Sequence, residues 1–192
     1  MTGSTDHTLS WRDQLRRIDQ TIADVEKVLA SIFCALVCLL IVANIVIRAA
    51  RIPVYWIDEA AIYAMAWMAF LASSAAVQSS EHVMIDLFTK NMPPILVKPL
   101  ETAVNLLLLF LGLILIACAY LWFDPFTLMA LNGDTHAFAE RTFNFIYSEP
   151  TASFNAPKAV FWLIMPIFSL MLTFHVLIKL IAPATPEQET RK

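Results

Sequence analysis

The side chains of this sequence best suited to chemistry fall into three small groups. Asp58 and Glu59 are adjacent. On a helix, neighbouring side chains diverge by about 100°, so these two cannot act together as a paired acid and base. Negative charge in a first helical turn is favourable against the helix dipole, and either carboxylate can pair with Arg48 or Arg51. A part in binding an ion or a substrate is the alternative. Glu81, His82 and Asp86 form the second group. His82 and Asp86 stand four apart and can face each other, but a metal needs a further ligand and only Glu81 is near. A hydrogen bond that positions the chain there is preferred over a metal site. His175 is the third, alone in an apolar run. A lone intramembrane histidine usually bonds to a neighbouring helix; a haem held between His82 and His175 is the alternative. No P-loop, HExxH pair or nucleophile elbow is present. Cys34, Cys38 and Cys118 lie within apolar runs and read as small buried hydrophobes, with no disulfide framework or metal pair.

What positions these groups is set by composition. Hydrophobic residues are 59% of the 192, charged residues 15%, and the mean hydropathy is +0.67. Soluble domains average about 25% charged residues, so an all-α integral membrane protein is expected. The formal net charge of −3, without a basic stripe, gives no reason to expect nucleic acid as a partner.

Four apolar runs read as transmembrane helices, over about 28–47, 57–77, 102–123 and 159–181. The second is unlike the others. Its uncharged part, Ala60 to Val77, places Ala60, Ala64, Ala69, Ala72, Ser73 and Ala76 at separations of three and four. Small residues so spaced let another backbone approach closely, which is how helices associate when lipid tails are as apolar as leucine. Ala60, Ala64, Ala72 and Ala76, with the bulky Trp67, are expected to form a packing seam, within the bundle or against a larger subunit. The fourth run contains Pro166, tolerated where neighbours satisfy the freed carbonyl.

Residues 1–27 precede the membrane domain of 28–181. Trp11, Leu15, Ile18, Ile22 and Val25 recur at threes and fours, with Arg12, Asp13, Arg16, Arg17, Asp19 and Asp24 between them. That is the pattern of a helix lying in the interface; a solvated extension of the first span is the alternative. It is too long and charged for a signal peptide. Short amphipathic interfacial segments are expected over 82–100. The outward loop 124–158 carries Phe143, Phe145, Tyr147 and Phe154, suited to the headgroup level or to a partner. A polar tail, 182–192, ends the chain. Four spans put both termini on one side. That side holds Arg12, Arg16, Arg17, Lys27, Lys90, Lys98, Lys179, Arg191 and Lys192, against Arg48, Arg51, Arg141 and Lys158 opposite. The excess places both termini in the cytoplasm. No span carries an acidic or basic residue at its middle, so the chain is not expected to conduct a solute by itself.

Asn44 then Arg48, Pro53, Trp56 with Asp58 and Glu59, Trp67, Phe70, and His82-Val83 through Asp86 form an ordered series. It resembles the small membrane subunit of TRAP transporters, the DctQ type, whose pattern runs N-x-x-x-R, W-x-E-E, an aromatic and small-residue span, and H-[IV]-x-x-D. Pro157, Trp162 and Pro166 look like that family's later signature. Asp58 replaces the first Glu of the usual pair, Ala72 stands where Gly is common, and Gln78 where Arg is frequent. The resemblance implies a multi-pass inner-membrane subunit that is not an enzyme. It implies a large multi-span partner holding the substrate and sodium sites and moving as an elevator, with no cofactor in this chain. It also implies a periplasmic binding protein that delivers an organic acid, such as a dicarboxylate, for symport. Within that picture Arg48 and Glu59 are expected to pair on the outward side. The competing functions are a haem-carrying electron-transfer subunit, which a Soret band would reveal, and a free-standing membrane enzyme or small transporter.

Overall fold

The computed structural model describes residues 11–52, 54–79, 94–153 and 155–182. Pro53, Glu81, His82, Asp86, Phe154, residues 1–10, the interfacial stretch through 93 and the tail from 183 lie outside the described residues. Four helices are long and apolar enough to cross a membrane. The first, α1, is Trp11–Ala49, the second, α2, Trp56–Ser79, and the third, α3, Pro94–Phe123. Two short helices follow, α4 (Pro125–Ala130) and α5 (Thr135–Thr142). The last span is built of α6 (Lys158–Trp162) and α7 (Ile164–Ile181).

Two boundaries differ from the sequence expectation. Among the described residues no separate helix precedes the first span: α1 runs unbroken from Trp11 through the expected interfacial segment. The region has no glycine or proline to stop it, and its inner face has a docking partner, described below. Likewise α3 begins at Pro94, so residues 95–100, expected as an interfacial segment leading into the third span, are one helix with it. The far end of α1 is closed by Arg51, in a left-handed conformation (φ 58°), with the Ile52 N–H returning to the Ile47 carbonyl and the Arg51 N–H to that of Arg48. This reverse-turn cap satisfies the last carbonyls of the helix.

Pro166 explains why the last span is two helices. Its ring would collide with the carbonyl of Trp162 in a continuous helix. The chain breaks at Leu163, so Pro166 falls in the first turn of α7, where an N–H has no intrahelical partner anyway. The Trp67 indole N–H reaches into this break and donates to the Phe161 carbonyl at 2.8 Å.

The helices α1, α2 and α7 pack together, and α3 is attached on α7. At mid-depth Ala30, Leu71 and Ile164 are buried, walled by Phe33, Trp67, Phe70 and Met165. The α3–α7 contact depends on Gly112. A Cβ there would stand 2.5 Å from Thr173 Oγ1, so a larger residue would force the Thr173 hydroxyl aside. Cys34, Cys38 and Cys118 face outward, contrary to their expected burial. The helices that carry them bury only a narrow strip, and an outward thiol is no cost in lipid.

The loop between the third and fourth spans is ordered by its own caps. Asp124 accepts from Thr127 N–H at 3.3 Å to start α4, and Asp134 accepts from His136 and Ala137 N–H at 3.0 and 3.1 Å to start α5. Tyr147 turns inward, against Phe138 and Phe123, and donates to the Phe123 carbonyl at 2.6 Å. Its burial, with the Asp124 charge, pushes the phenol above its ordinary pKa. Phe143 and Phe145 remain exposed, and Phe143 leaves α5 in a left-handed conformation.

Candidate functional site

The ionisable side chains of the spans collect towards the two ends of the helices. At the end where α1 begins and α7 finishes, here the near end, Asp19 and Glu26 stand seven residues apart on α1. Seven residues are about two turns, so both carboxylates leave α1 on one side, with the buried Ala23 between them. His175 of α7 fits between the two. Its Nδ1 is 2.6 Å from Asp19 Oδ1, and its Nε2 is 3.0 Å from Glu26 Oε2. Ser74 of α2 donates to the other Glu26 oxygen at 2.7 Å. All four residues are buried. Each nitrogen–oxygen contact needs a proton within it, so imidazole and carboxylates hold two protons between them, whichever atoms carry them. Outside this cluster Lys179 donates to the Val77 carbonyl at the end of α2, and Arg16 Nε donates to the Ala182 carbonyl beyond α7 at 2.9 Å. Both are cations at helix C-termini, where the dipole favours them.

At the opposite, far end, Asn44 donates to Asp58 Oδ1 and accepts from Arg48 Nε at 3.1 Å; Arg48 Nη2 donates to Asp58 Oδ2 at 2.7 Å. Three residues, Asn44, Arg48 and Asp58, thus tie the end of α1 to the start of α2. The expected Arg48–Glu59 pair is therefore corrected: Arg48 pairs with Asp58. Glu59, turned away by the helical angle between neighbours, accepts instead from the backbone N–H groups of Ala152 (2.9 Å) and Ser153 (2.7 Å). It holds the loop that enters the last span. Tyr63 adds a longer contact to the same carboxylate, 3.4 Å, and stacks on Phe161 with centroids 4.2 Å apart.

The other residues singled out in the sequence separate by face. Ala64 is buried within the bundle and Ala60 half-buried, whereas Ala72 and Ala76 are exposed. They form two surfaces and not a single seam, because a helix turns about 100° per residue and these four positions drift round it. Ala69, Ala72, Ser73 and Ala76 make an outward stripe of small residues. Trp67 packs on Phe33 (centroids 5.6 Å), Phe70 on Phe168 (5.0 Å) and Trp162 on Trp122 (5.9 Å). Trp56 is exposed at the head of α2. Of the cluster's acids, Asp19 was expected only as part of the polar side of an amphipathic helix, and Glu26 was not singled out by the sequence.

As a site, these groups bind helices to one another. Among the described residues no group of three His, Cys, Asp or Glu is disposed to hold a metal ion. Both nitrogens of His175 are engaged by carboxylates, so neither is open to a haem iron. Among the described residues no buried side-chain nitrogen or oxygen lacks a partner. Neither curated proteins nor solved structures gave a match. A family model does match, over residues 37–185, which is more than half of the chain and includes the Asn44–Arg48–Asp58 network and the last span. The chain belongs to the DctQ-component family of the tripartite ATP-independent periplasmic (TRAP) transporters, and is a small, multi-pass membrane subunit of the inner membrane.

Proposed function

We propose that this chain is a non-conducting scaffold that anchors the large, sodium-coupled elevator subunit of its transporter. The complex would take up an organic acid that a periplasmic binding protein delivers. In this reading both termini lie in the cytoplasm, as the lysine and arginine distribution favours. Sodium and substrate sites belong to the large subunit, and this chain needs no cofactor and catalyses nothing. One observation carries the reading. The charged residues of the described spans lie towards the helix ends, where Asp19, Glu26, His175, Arg48, Asp58 and Glu59 bond other helices or the loop, and the segments between hold none. A solute or ion path through the chain would want polar groups at mid-depth.

The surface for the large subunit is proposed to include the outward stripe of α2, Ala69, Ala72, Ser73 and Ala76. Leucines at Ala72 and Ala76 should prevent co-purification with the large subunit while leaving the helicity and thermal unfolding of the chain unchanged. Full co-purification of the doubly substituted chain would remove α2 from the interface.

A further inference from the structure

The first four turns of α1 dock on the bundle by a side that their sequence does not single out. Their buried side is the polar one, Asp19, Ala23 and Glu26, held by His175. Their apolar side faces out: Trp11 is 55% exposed, Ile18 51% and Val25 53%. These three stand at seven-residue intervals, and the series runs on without a break through the exposed Ile32, Leu39 and Val46. An apolar stripe therefore follows α1 from end to end, winding about 100° round it. At 1.5 Å per residue this helix is about 58 Å long, about twice the hydrocarbon thickness of a bilayer. The outer part of the stripe covers acyl chains, and its near part reaches headgroup level, where Trp11 is suited to lie.

Packing also sorts the charges of this segment. From Trp11 to Lys27 there are four basic and four acidic residues, so the sequence is balanced. Folding onto α7 hides two of the acids, Asp19 and Glu26. Asp24 faces Lys27 at 3.3 Å, and the half-buried Asp13, two positions after Trp11, lies about 200° round the helix from it. Arg12 and Arg17 are exposed on the two flanks of the stripe, and Arg12 lies over the Trp11 ring, 5.3 Å from its centroid. The outward surface is apolar along its middle and predominantly basic at its edges.

We propose that the face of α1 bearing Trp11, Ile18 and Val25, with Arg12 and Arg17, docks acidic phospholipid headgroups of the near leaflet. The buried histidine cluster is what turns this face to the lipid. Apolar contact would be indifferent to headgroup, but guanidinium groups bonding phosphates at the edge of the stripe favour an anionic lipid.

The test uses the full chain with its cysteines replaced by alanine and one fluorophore attached at position 18 through Ile18→Cys. It is reconstituted in phosphatidylcholine containing equal amounts of brominated phosphatidylglycerol or brominated phosphatidylcholine, and quenching is compared. Quenching by the acidic lipid should be stronger by about twofold or more. The preference should vanish in the Arg12→Glu/Arg17→Glu variant and in 1 M salt, where the screening length is about 3 Å. A fluorophore at Leu39→Cys should show no preference. Equal quenching at position 18 by the two lipids would overturn the proposal, leaving apolar contact alone. Absence of quenching by either would also overturn it, meaning that protein or water covers the stripe. The unsubstituted arginines decide the matter by themselves if the double variant does not fold.

Discussion

Replacing His175 with leucine tests the near-end cluster most severely. The substitution keeps an apolar side chain of similar bulk, so the void it leaves is small, but it withdraws both contacts from Asp19 and Glu26. These carboxylates have side chains only 7% and 6% exposed, so water cannot replace the imidazole without α1 moving off α7. Removing one partner of a buried charged network costs about 3–5 kcal/mol. Native proteins have about 5–15 kcal/mol in all, so the variant should lose a large part of its stability. Ser74→Ala withdraws one hydrogen bond from a charged acceptor and should cost less, about 1.5–3 kcal/mol. The informative partner is the triple replacement of Asp19, Glu26 and His175 by leucine. Desolvation of the charges then disappears along with their attraction, and such exchanges are often neutral or stabilising by about 1–4 kcal/mol. Unfolding in mixed detergent micelles, followed by helical circular dichroism, measures all three variants. A His175→Leu variant within about 1 kcal/mol of the unsubstituted chain would refute this reasoning, since it would mean the carboxylates find water at no cost. A triple variant as unstable as the single would refute it equally, by showing that shape and not charge decides the contact.

Other substitutions separate the remaining contacts. Gly112→Ala should destabilise the α3–α7 contact by about 1–3 kcal/mol, and Thr173→Ala, which removes the hydroxyl oxygen in the way, should restore most of that loss in the same unfolding assay. Arg48→Ala should cost no more than about 1 kcal/mol, because the pair with Asp58 is largely exposed; exchanging the charges of Arg48 and Asp58 should recover what the single changes lose, whereas exchanging Arg48 with Glu59 should not. Glu59→Gln should speed amide hydrogen exchange at Ala152 and Ser153 while leaving α1 and α2 protected. Ala64→Leu should lower the stability of the isolated chain, since Ala64 is buried, while Ala76→Leu should leave that stability alone.

The four spans were legible because each is a run of apolar residues longer than a bilayer needs, a signal that depends on nothing distant. The near-end cluster was not, for the opposite reason. Asp19 and Glu26 are 156 and 149 residues from His175. Locally the acids look like the wet side of an amphipathic helix, whose apolar side was expected to lie in the membrane interface; nothing near them in the chain says that the polar side docks on a distant histidine. The signal that was there is the pair of facts that a histidine within a span needs polar partners and that Asp19, Ala23 and Glu26 share one side of α1. At the far end the sequence narrowed the partner of Arg48 to two adjacent carboxylates, but only the rotation of α2 decides that Asp58 faces it and Glu59 faces the loop. The small residues of α2 were recognised as packing residues; their division between an inner and an outer surface depends on where α1 and α7 lie against that helix. Pro166 marked the last span as irregular, and the break at Leu163 is the form the irregularity takes.

Uptake into liposomes driven by a sodium gradient tests the scaffold role most directly, with the chain alone, the large membrane subunit alone, and the two together, each supplied with the binding protein and its solute. Uptake is expected only where both subunits are present. Accumulation of solute in liposomes that contain this chain and no large subunit would contradict it.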